Sequence, residues 1–509
     1  MKQQILIISL ALVFTTSTFA DESAEMAELR ALVKALSEEN SSLKQQLSAR
    51  ETKLEKQEEE LEVMKADQRE ARREQREFSG SANGRERGPG GLIQLGPVSI
   101  GGALRANYTV GDYDNPALDG DILGPGRDGD GGTFTLDTFY VNASLEEGNF
   151  IGQAEYRFYD QLDELGGYNF IHTLWGGYRF NDGSELKVGV VEVPFGLERF
   201  GNSYGFFNSL ENIVGLSDDR DLGAVYSLSW KDFDIDLGYF YGEEPNGNGQ
   251  SANSARGSYD IINTSNANLL AQNNFLNGNF SPFRERDQFN VRVKYNFYWG
   301  DFENVVGASL QYGNLEATDD RFDDGDATAG SIFLKSTYGN WQLKAGVTKY
   351  HYDTDTLKDP LVPLIGFNPD QIVVGAFDIP IFIASEGTIP SFGLSYTHIP
   401  RNIDFIDWIV PYIDYSIILK DGETNGQYYF QQFVGTEFQD SEQFTLGAIV
   451  GMGDFIIYID TVFGKGSPLI GNETGQLLFG GALNDSLSAV VPFDDSWQTR
   501  FNINVGYYF

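Results

Sequence analysis

Phe289-Asn290-Val291-Arg292-Val293-Lys294-Tyr295-Asn296-Phe297 puts every apolar residue at an odd position and every polar one at an even position. Successive side chains of a strand point to opposite faces, so an extended reading gives one wholly apolar and one wholly polar face. A helix would scatter the same residues around its circumference. A Phe-Val-Val-Tyr-Phe face backed by Arg292 and Lys294 is the pattern of a strand with lipid on one side and water on the other. Trp497 to Phe509 repeats it, with Phe501, Ile503, Val505, Tyr507 and Phe509 on one face and Arg500, Asn502 and Asn504 on the other. Soluble sandwiches alternate as well, so the connections must decide between the two.

The connections alternate short and long. Short joins stand at Glu147-Gly148, Asn181-Asp182-Gly183, Lys231-Asp232, Gly300-Asp301, Gly339-Asn340 and Gly453-Asp454, with a slightly longer one from Pro400 to Asn402. Long polar stretches lie between them, at roughly 111–132, 161–167, 194–220, 243–285, 315–328, 352–387, 421–441 and 465–496. Seven short turns and eight long loops join sixteen strands and leave both ends of the sheet on the short-turn side, the asymmetry of membrane barrels. In lipid an open edge would strand its backbone groups without partners, so the sheet must close. The expectation is an all-β fold: an antiparallel transmembrane β-barrel of about 16 strands over 93–509, preceded by an α-helical coiled coil. A barrel of that size encloses an aqueous lumen.

Composition removes other classes. The net charge of -38, from 36 Lys and Arg against 74 Asp and Glu, excludes nucleic acid as a partner, and nearly all of the excess lies beyond residue 92. With no cysteine there is no disulfide, thiolate metal site or cysteine nucleophile. The three histidines, His172, His351 and His398, are far apart in sequence and give neither a zinc spacing nor a Ser/His/Asp arrangement. The reading is therefore a non-enzyme with no cofactor and no metal. No stretch after the N-terminus approaches eighteen uncharged apolar residues, so membrane-spanning helices are not expected.

At the N-terminus, Lys2, an apolar run from Ile5 to Phe14 and the small or polar residues ending Ser17-Thr18-Phe19-Ala20 read as a secretory signal peptide over 1–20. A seven-residue pattern follows, with Met26, Val33, Asn40, Leu47, Leu54 and Leu61 at one seam position and Leu29, Leu36, Leu43, Arg50, Gln57 and Met64 at the other. It predicts a periplasmic coiled coil over 21–65 that joins chains, because a lone helix has nothing against which to bury such a stripe. Residues 66–92, charged and then Gly-rich, read as a flexible linker.

Leu186-Lys187-Val188-Gly189-Val190-Val191-Glu192-Val193-Pro194-Phe195-Gly196-Leu197-Glu198, followed by Arg220-Asp221-Leu222-Gly223, resembles the phosphate-selective porin O and P family. In that family a strand ends in Pro-Phe-Gly and opens the third long loop. The resemblance implies an outer-membrane homotrimer whose third loop, here Pro194 to Arg220 with Pro194, Phe195, Gly196, Glu198, Arg199 and Arg220, folds inward and constricts each pore. It also implies a preference for anions or phosphate among the small solutes passed. Tyr507-Tyr508-Phe509 resembles the C-terminal aromatic signature read by barrel-assembly machinery. Outer-membrane lipid and lipopolysaccharide are the other implied partners. The sequence departs from the family pattern at Glu192 and in its acidity.

Strand parity puts Arg105, Arg157, Lys187, Arg292, Lys294, Lys335, Lys344 and Arg500 on the lumen side as candidates for anion binding, opposed by Asp137, Glu155, Asp234, Asp236, Asp414 and Asp460. The acid-rich loops around Asp112 to Asp130 and Asp319 to Asp326 have the oxygen density of Ca²⁺ or Mg²⁺ ligands but not EF-hand spacing, so solvated acidic loops are the simpler reading. The alternative to a channel is a structural tether, in which the barrel only anchors a coiled coil reaching about 60 Å across the periplasm.

Overall fold

The structure is a computed structural model. It describes scattered positions between 31 and 44, then 93–112, 132–161, 164–197, 199–205, 209–249, 254–263, 281–359, 369–376, 379–424, 436–466 and 497–509. By its internal packing the chain divides into two units, 1–79 and 80–509. In the first, Ala31, Lys34, Ala35, Glu38, Ser41 and Lys44 are helical and exposed. The heptad seam, the leader and the linker 66–92 lie outside the described residues.

The second unit is a closed antiparallel barrel of sixteen strands. In chain order they are β1 (Val98–Asp112), β2 (Thr133–Glu147), β3 (Phe150–Gln161), β4 (Glu164–Arg179), β5 (Glu185–Glu192), β6 (Arg220–Trp230), β7 (Phe233–Glu243) and β8 (Phe283–Trp299). Then come β9 (Phe302–Ala317), β10 (Gly325–Tyr338), β11 (Trp341–Tyr352), β12 (Glu386–Tyr396), β13 (Trp408–Asp421), β14 (Ser441–Met452), β15 (Phe455–Lys465) and β16 (Gln498–Tyr508). Each pairs with its sequence neighbours, and β1 closes the ring: its Ala103 stands opposite Tyr140 of β2 and opposite Tyr508 of β16. Gly102 and Phe509 extend that seam by exchanging both backbone hydrogen bonds, at 2.9 and 3.0 Å. Every interior edge is thereby paired, as a sheet in lipid requires. Ile93–Leu95 is a short flap on β1.

Six of the seven short joins are tight turns, and glycines at φ +59° (Gly300) and +55° (Gly339) supply the left-handed residue that two of them need. The join near Pro400 is longer than expected, 397–407, and is pinned by a bridge between His398 and Ile409. The loop expected at 161–167 is shorter: Gln161 pairs with Glu164, because the polar residues there continue the ladder instead of leaving it. Three long loops contribute strands of their own, one of them a pair between Glu423–Thr424 and Thr436–Glu437. Asp260–Ile261, Gln371–Ala376 and Ile379–Ala384 form a three-stranded sheet, with Val374 opposite Ile261.

The outer wall is apolar and exposed. Val188 is 54 % exposed, Leu310 67 % and Ile332 65 %, and Leu104, Val141, Leu174, Leu237, Phe289, Val291, Val306 and Val347 lie on the same outside. A continuous belt of this kind suits hydrocarbon, not water. At the short-turn end it passes into aromatic pairs, Trp230–Phe233, Phe302–Tyr338, Trp341–Tyr396 and Phe455–Tyr507, with ring centroids 4.7 to 6.2 Å apart. Such girdles occupy membrane interfaces.

The largest buried apolar cluster sits inside the barrel. Val191, Val193, Phe195, Leu210, Ile213 and Leu216, from β5 and the segment after it, pack with Tyr350, Tyr352, Ile372, Val374 and Ile389. Beside it, Gly189 lets β5 lie close against β4. Its φ is +139°, and a Cβ there would lie 2.1 Å from the Leu174 carbonyl oxygen. Gly189→Ala is therefore expected to cost about 2–4 kcal/mol, seen as a lower urea midpoint in detergent.

Candidate functional site

The site is the inner wall together with the segment 193–219 that folds across it. Parity along the strands is kept almost everywhere. Arg105 is buried while its neighbour Leu104 faces out, and Arg292 and Lys294 alternate with the outward Val291 and Tyr295. The exceptions sit at slips in the ladder, one of them between Glu155 and Tyr156, where His172 and Thr173 are both buried. The ladder between β1 and β2 slips between Arg105 and Asn107, so Asp137 and the adjacent Thr138 both turn inward. Arg105 meets both, Asp137 at 3.0 Å and Thr138 at 2.5 Å.

Most of the candidate cations are paired. Arg157 meets Glu155 at 2.5 Å, Arg292 meets Asp236 at 2.9 Å and Lys187 meets Glu185 at 3.5 Å, with Lys187 also 4.9 Å from the Trp175 ring. Lys335 stands opposite Lys344 in the ladder. Lys344 is buried: its Nζ donates to the Ser203 carbonyl at 3.2 Å and lies 4.4 Å from the Tyr204 ring, so it holds the inward segment instead of facing the lumen. Arg500 is half-buried, and its Nε meets no acceptor among the described residues. The wall is thus one of alternating charge, not a row of bare cations.

The described residues of the inward segment are held at several points. Pro194 packs near Gly238, Phe195 is in the apolar cluster, and the Gly196 N–H donates to Ser309 Oγ at 3.1 Å. Glu198 falls outside the described residues. Asn202 Nδ2 donates to Ser391 Oγ at 2.9 Å, while the N–H groups of Tyr204 and Gly205 and the hydroxyl of Ser203 all donate to the Asp414 carboxylate at 2.7–3.0 Å. Close approach depends on glycine here: a Cβ at Gly393 would lie 2.4 Å from the Asn202 carbonyl, and one at Gly346 would lie 2.6 Å from its amide. A one-turn helix, Leu210–Ile213, follows the cap Ser209. In it Glu211 Oε1 accepts from Thr348 and Ser391 at 3.1 Å each, and burial outweighs those bonds and pushes its carboxyl up to about 7.

The segment leaves through an arginine pair. Arg199 and Arg220 both bond Asp218, and although burial alone would raise Asp218, the two guanidinium groups hold it well below the usual carboxylate range. Arg199 Nη2 also lies 3.1 Å from His172 Nε2, and His172 Nδ1 lies 2.9 Å from Glu155. A guanidinium only donates, so Nε2 is the acceptor and Nδ1 carries the proton given to Glu155. His172, Asp218, Tyr204 and Glu211 are site residues that the sequence did not single out. Apart from Arg220, two positions from Asp218, these partners stand 17 to 210 positions away, and no local spacing marks them.

Outside apolar, inside charged and closed, with a chain segment bound within, the fold defines a transmembrane β-barrel with a polar, partly occluded lumen. No family model and no curated protein matches the chain. Among solved structures it is similar to the outer membrane channel DcaP of Acinetobacter baumannii, at 11% identity over 82% of this chain and 99% of that one, TM-score 0.48. It is also similar to an anion-selective porin from Comamonas acidovorans, at 13% over 81% and 99%, TM-score 0.44. A third is Salmonella typhi OmpF in complex with daunomycin, at 13% over 81% and 97%, TM-score 0.45. Likenesses this distant fix neither family nor solute.

Proposed function

We propose that the protein is an outer-membrane porin of a Gram-negative bacterium, a water-filled trimeric channel for passive diffusion of small hydrophilic solutes. The observation that supports this best is the segment 193–219 held inside a closed barrel by Asp414 and Glu211, which narrows the lumen without plugging it by a separate domain. Selectivity in such a pore follows the lining at its constriction. Arg105, Arg157, Lys187, Arg292, Lys294, Lys335, Lys344 and Arg500 are the inner-wall cations proposed to favour anions or phosphate, the acids beside Arg105, Arg157, Lys187 and Arg292 tempering their field. Lipopolysaccharide at the long-loop end and barrel-assembly machinery at Tyr507-Tyr508-Phe509 complete the proposed partners. Planar-bilayer recording of the purified protein tests the reading: ohmic steps in threes support it, and silence overturns it in favour of a tether.

In this reading residues 1–20 are an export signal, 21–65 a periplasmic coiled coil, 66–92 a linker and 93–509 the barrel. Deleting 21–91 is expected to leave a conducting barrel, because the ladder from Val98 onward closes on itself. Refolding in detergent followed by conductance checks it, and a truncated chain that cannot fold sinks the modular reading.

A further inference from the structure

Where the inward segment joins β6 the chain reads Asp218-Asp219-Arg220-Asp221, and the accessory strand Asp260–Ile261 runs beside it. Asp219, Asp221 and Asp260 bring one carboxylate oxygen each to within 4.8 Å of one another. They are 6 %, 1 % and 1 % exposed. Neighbouring groups deepen the negative charge: Glu243 and Glu244 at the end of β7, and Glu285 at the start of β8. Arg256 answers part of it, with Nη1 2.5 Å from Asp260 Oδ2, but Arg220 turns away to Asp218 at 2.8 Å.

The second observation is that the converging oxygens are bare. No N–H or O–H of the described residues reaches Asp219 Oδ1, either oxygen of Asp221, Asp260 Oδ1 or Glu244 Oε2. The other oxygen of Glu244 accepts from the N–H groups of Gly257 and Ser258 at 3.2 and 3.0 Å, which aligns that side chain. A buried carboxylate without donor or counter-ion is among the costliest groups a fold can hold. Two chemistries relieve it, protons or a metal. Burial first, then Glu285 and Glu244, pushes Asp219 far up, and burial with Glu244 does the same to Asp260. Protons alone would still leave both oxygens of Asp221 facing other acids.

We propose that Asp219, Asp221 and Asp260, with Glu244 Oε2 beside them, bind one Ca²⁺ ion that latches the exit of the constricting segment to the three-stranded loop sheet. Ca²⁺ takes six to eight oxygens at about 2.4 Å in irregular geometry, so two of its ligands lie no farther apart than about 4.8 Å, the separation within which these three fall. The three aspartates and Arg256 sum to a charge of −2 and Glu244 brings the cluster to −3, so one Ca²⁺ removes most of the uncompensated charge. Mg²⁺ fits less well, since it demands a regular octahedron and keeps its own waters.

The test is a calorimetric titration of CaCl₂ into the full-length protein, stripped with EDTA and held in detergent at 0.15 M NaCl. The expected result is one site distinct from weak loop binding, together with a melting temperature several degrees higher in Ca²⁺ than in EDTA. Asp221→Asn should weaken that site at least about tenfold, whereas Asp319→Asn in an exposed acidic loop should leave it intact. Wild type that takes up no Ca²⁺, or Asp221→Asn that binds as wild type does, overturns the proposal, as does loss of the site in Asp319→Asn. Should Asp221→Asn not fold, Glu244→Gln replaces it, and wild type without a Ca²⁺-dependent melting shift overturns the proposal by itself.

Discussion

Asp414→Ala is expected to raise single-channel conductance and to make the open current noisy. The Asp414 carboxylate is 2 % exposed and takes hydrogen bonds from the backbone of Tyr204 and Gly205 and the hydroxyl of Ser203. Removing it takes the shared acceptor from the two buried N–H groups, while the Ser203 hydroxyl keeps the Gly205 carbonyl at 2.8 Å. At about 1–3 kcal/mol per orphaned buried group, and allowing for incomplete additivity, the bound position of the segment loses about 3–5 kcal/mol. Asn202 with Ser391, Glu211 with Thr348, and Tyr352 with the Val214 carbonyl remain, so the segment is loosened and not released. The barrel ladder is untouched, and strand content by circular dichroism should not change. Gly393→Val reaches the same end by a different force, since its Cβ would occupy the place of the Asn202 carbonyl. Conductance equal to wild type in both variants, with unchanged noise, would show that this segment does not set the pore.

The second large effect is on selectivity. Arg292→Gln together with Lys294→Gln is expected to move the reversal potential toward cations at both low and high salt. Asp236 now faces Arg292 at 2.9 Å, and Asp234 holds Ser229 and Asn296 at 2.7 and 2.9 Å. Removing both takes away the cations that stand opposite the two carboxylates in the ladder between β7 and β8. A unit charge about 5 Å from a passing ion is worth about 0.8 kcal/mol even at the dielectric of water, so two such changes amount to a several-fold shift in the permeability ratio. The acids Asp319, Asp320, Asp323 and Asp324 lie in a loop, where exposed charges act over only about 8 Å at 0.15 M salt. Neutralising those four should matter mainly at low salt. A reversal potential governed by the loop at high salt, with the Arg292 and Lys294 changes silent, refutes lumen control.

Some of this architecture was written locally. The alternation from Phe289 to Phe297 became β8 with its apolar side outward, and the short joins at Gly300, Gly339 and Gly453 became turns. Both signals live within a few residues: side-chain direction follows from pleating, and a tight turn from one left-handed residue. Parity therefore also put the eight candidate cations on the inner face. Pro194-Phe195-Gly196 marked where the chain leaves the wall, because the run of alternating strand residues stops there.

What those inward residues meet was decided only by closure and by the path of the loops. Arg105 finds Asp137, which reads as lumenal, through a slip in the ladder that also turns the adjacent Thr138 inward, a pairing that parity alone does not give. Lys344 reads as a pore cation but is spent on the Ser203 carbonyl, 141 positions away. His172 is one of three scattered histidines in the sequence, yet it stands between Glu155 and Arg199. Asp219, Asp221 and Asp260 were less conspicuous than the acid-rich loops, and burial singles them out, since only water exclusion turns like charges at short range into a demand for a cation. The sequence by itself determined which side of each strand faces lipid and where the strands end, because those depend on neighbours along the chain. The tertiary structure alone decided which charges are paired, buried or left bare, because those depend on neighbours brought together across the lumen.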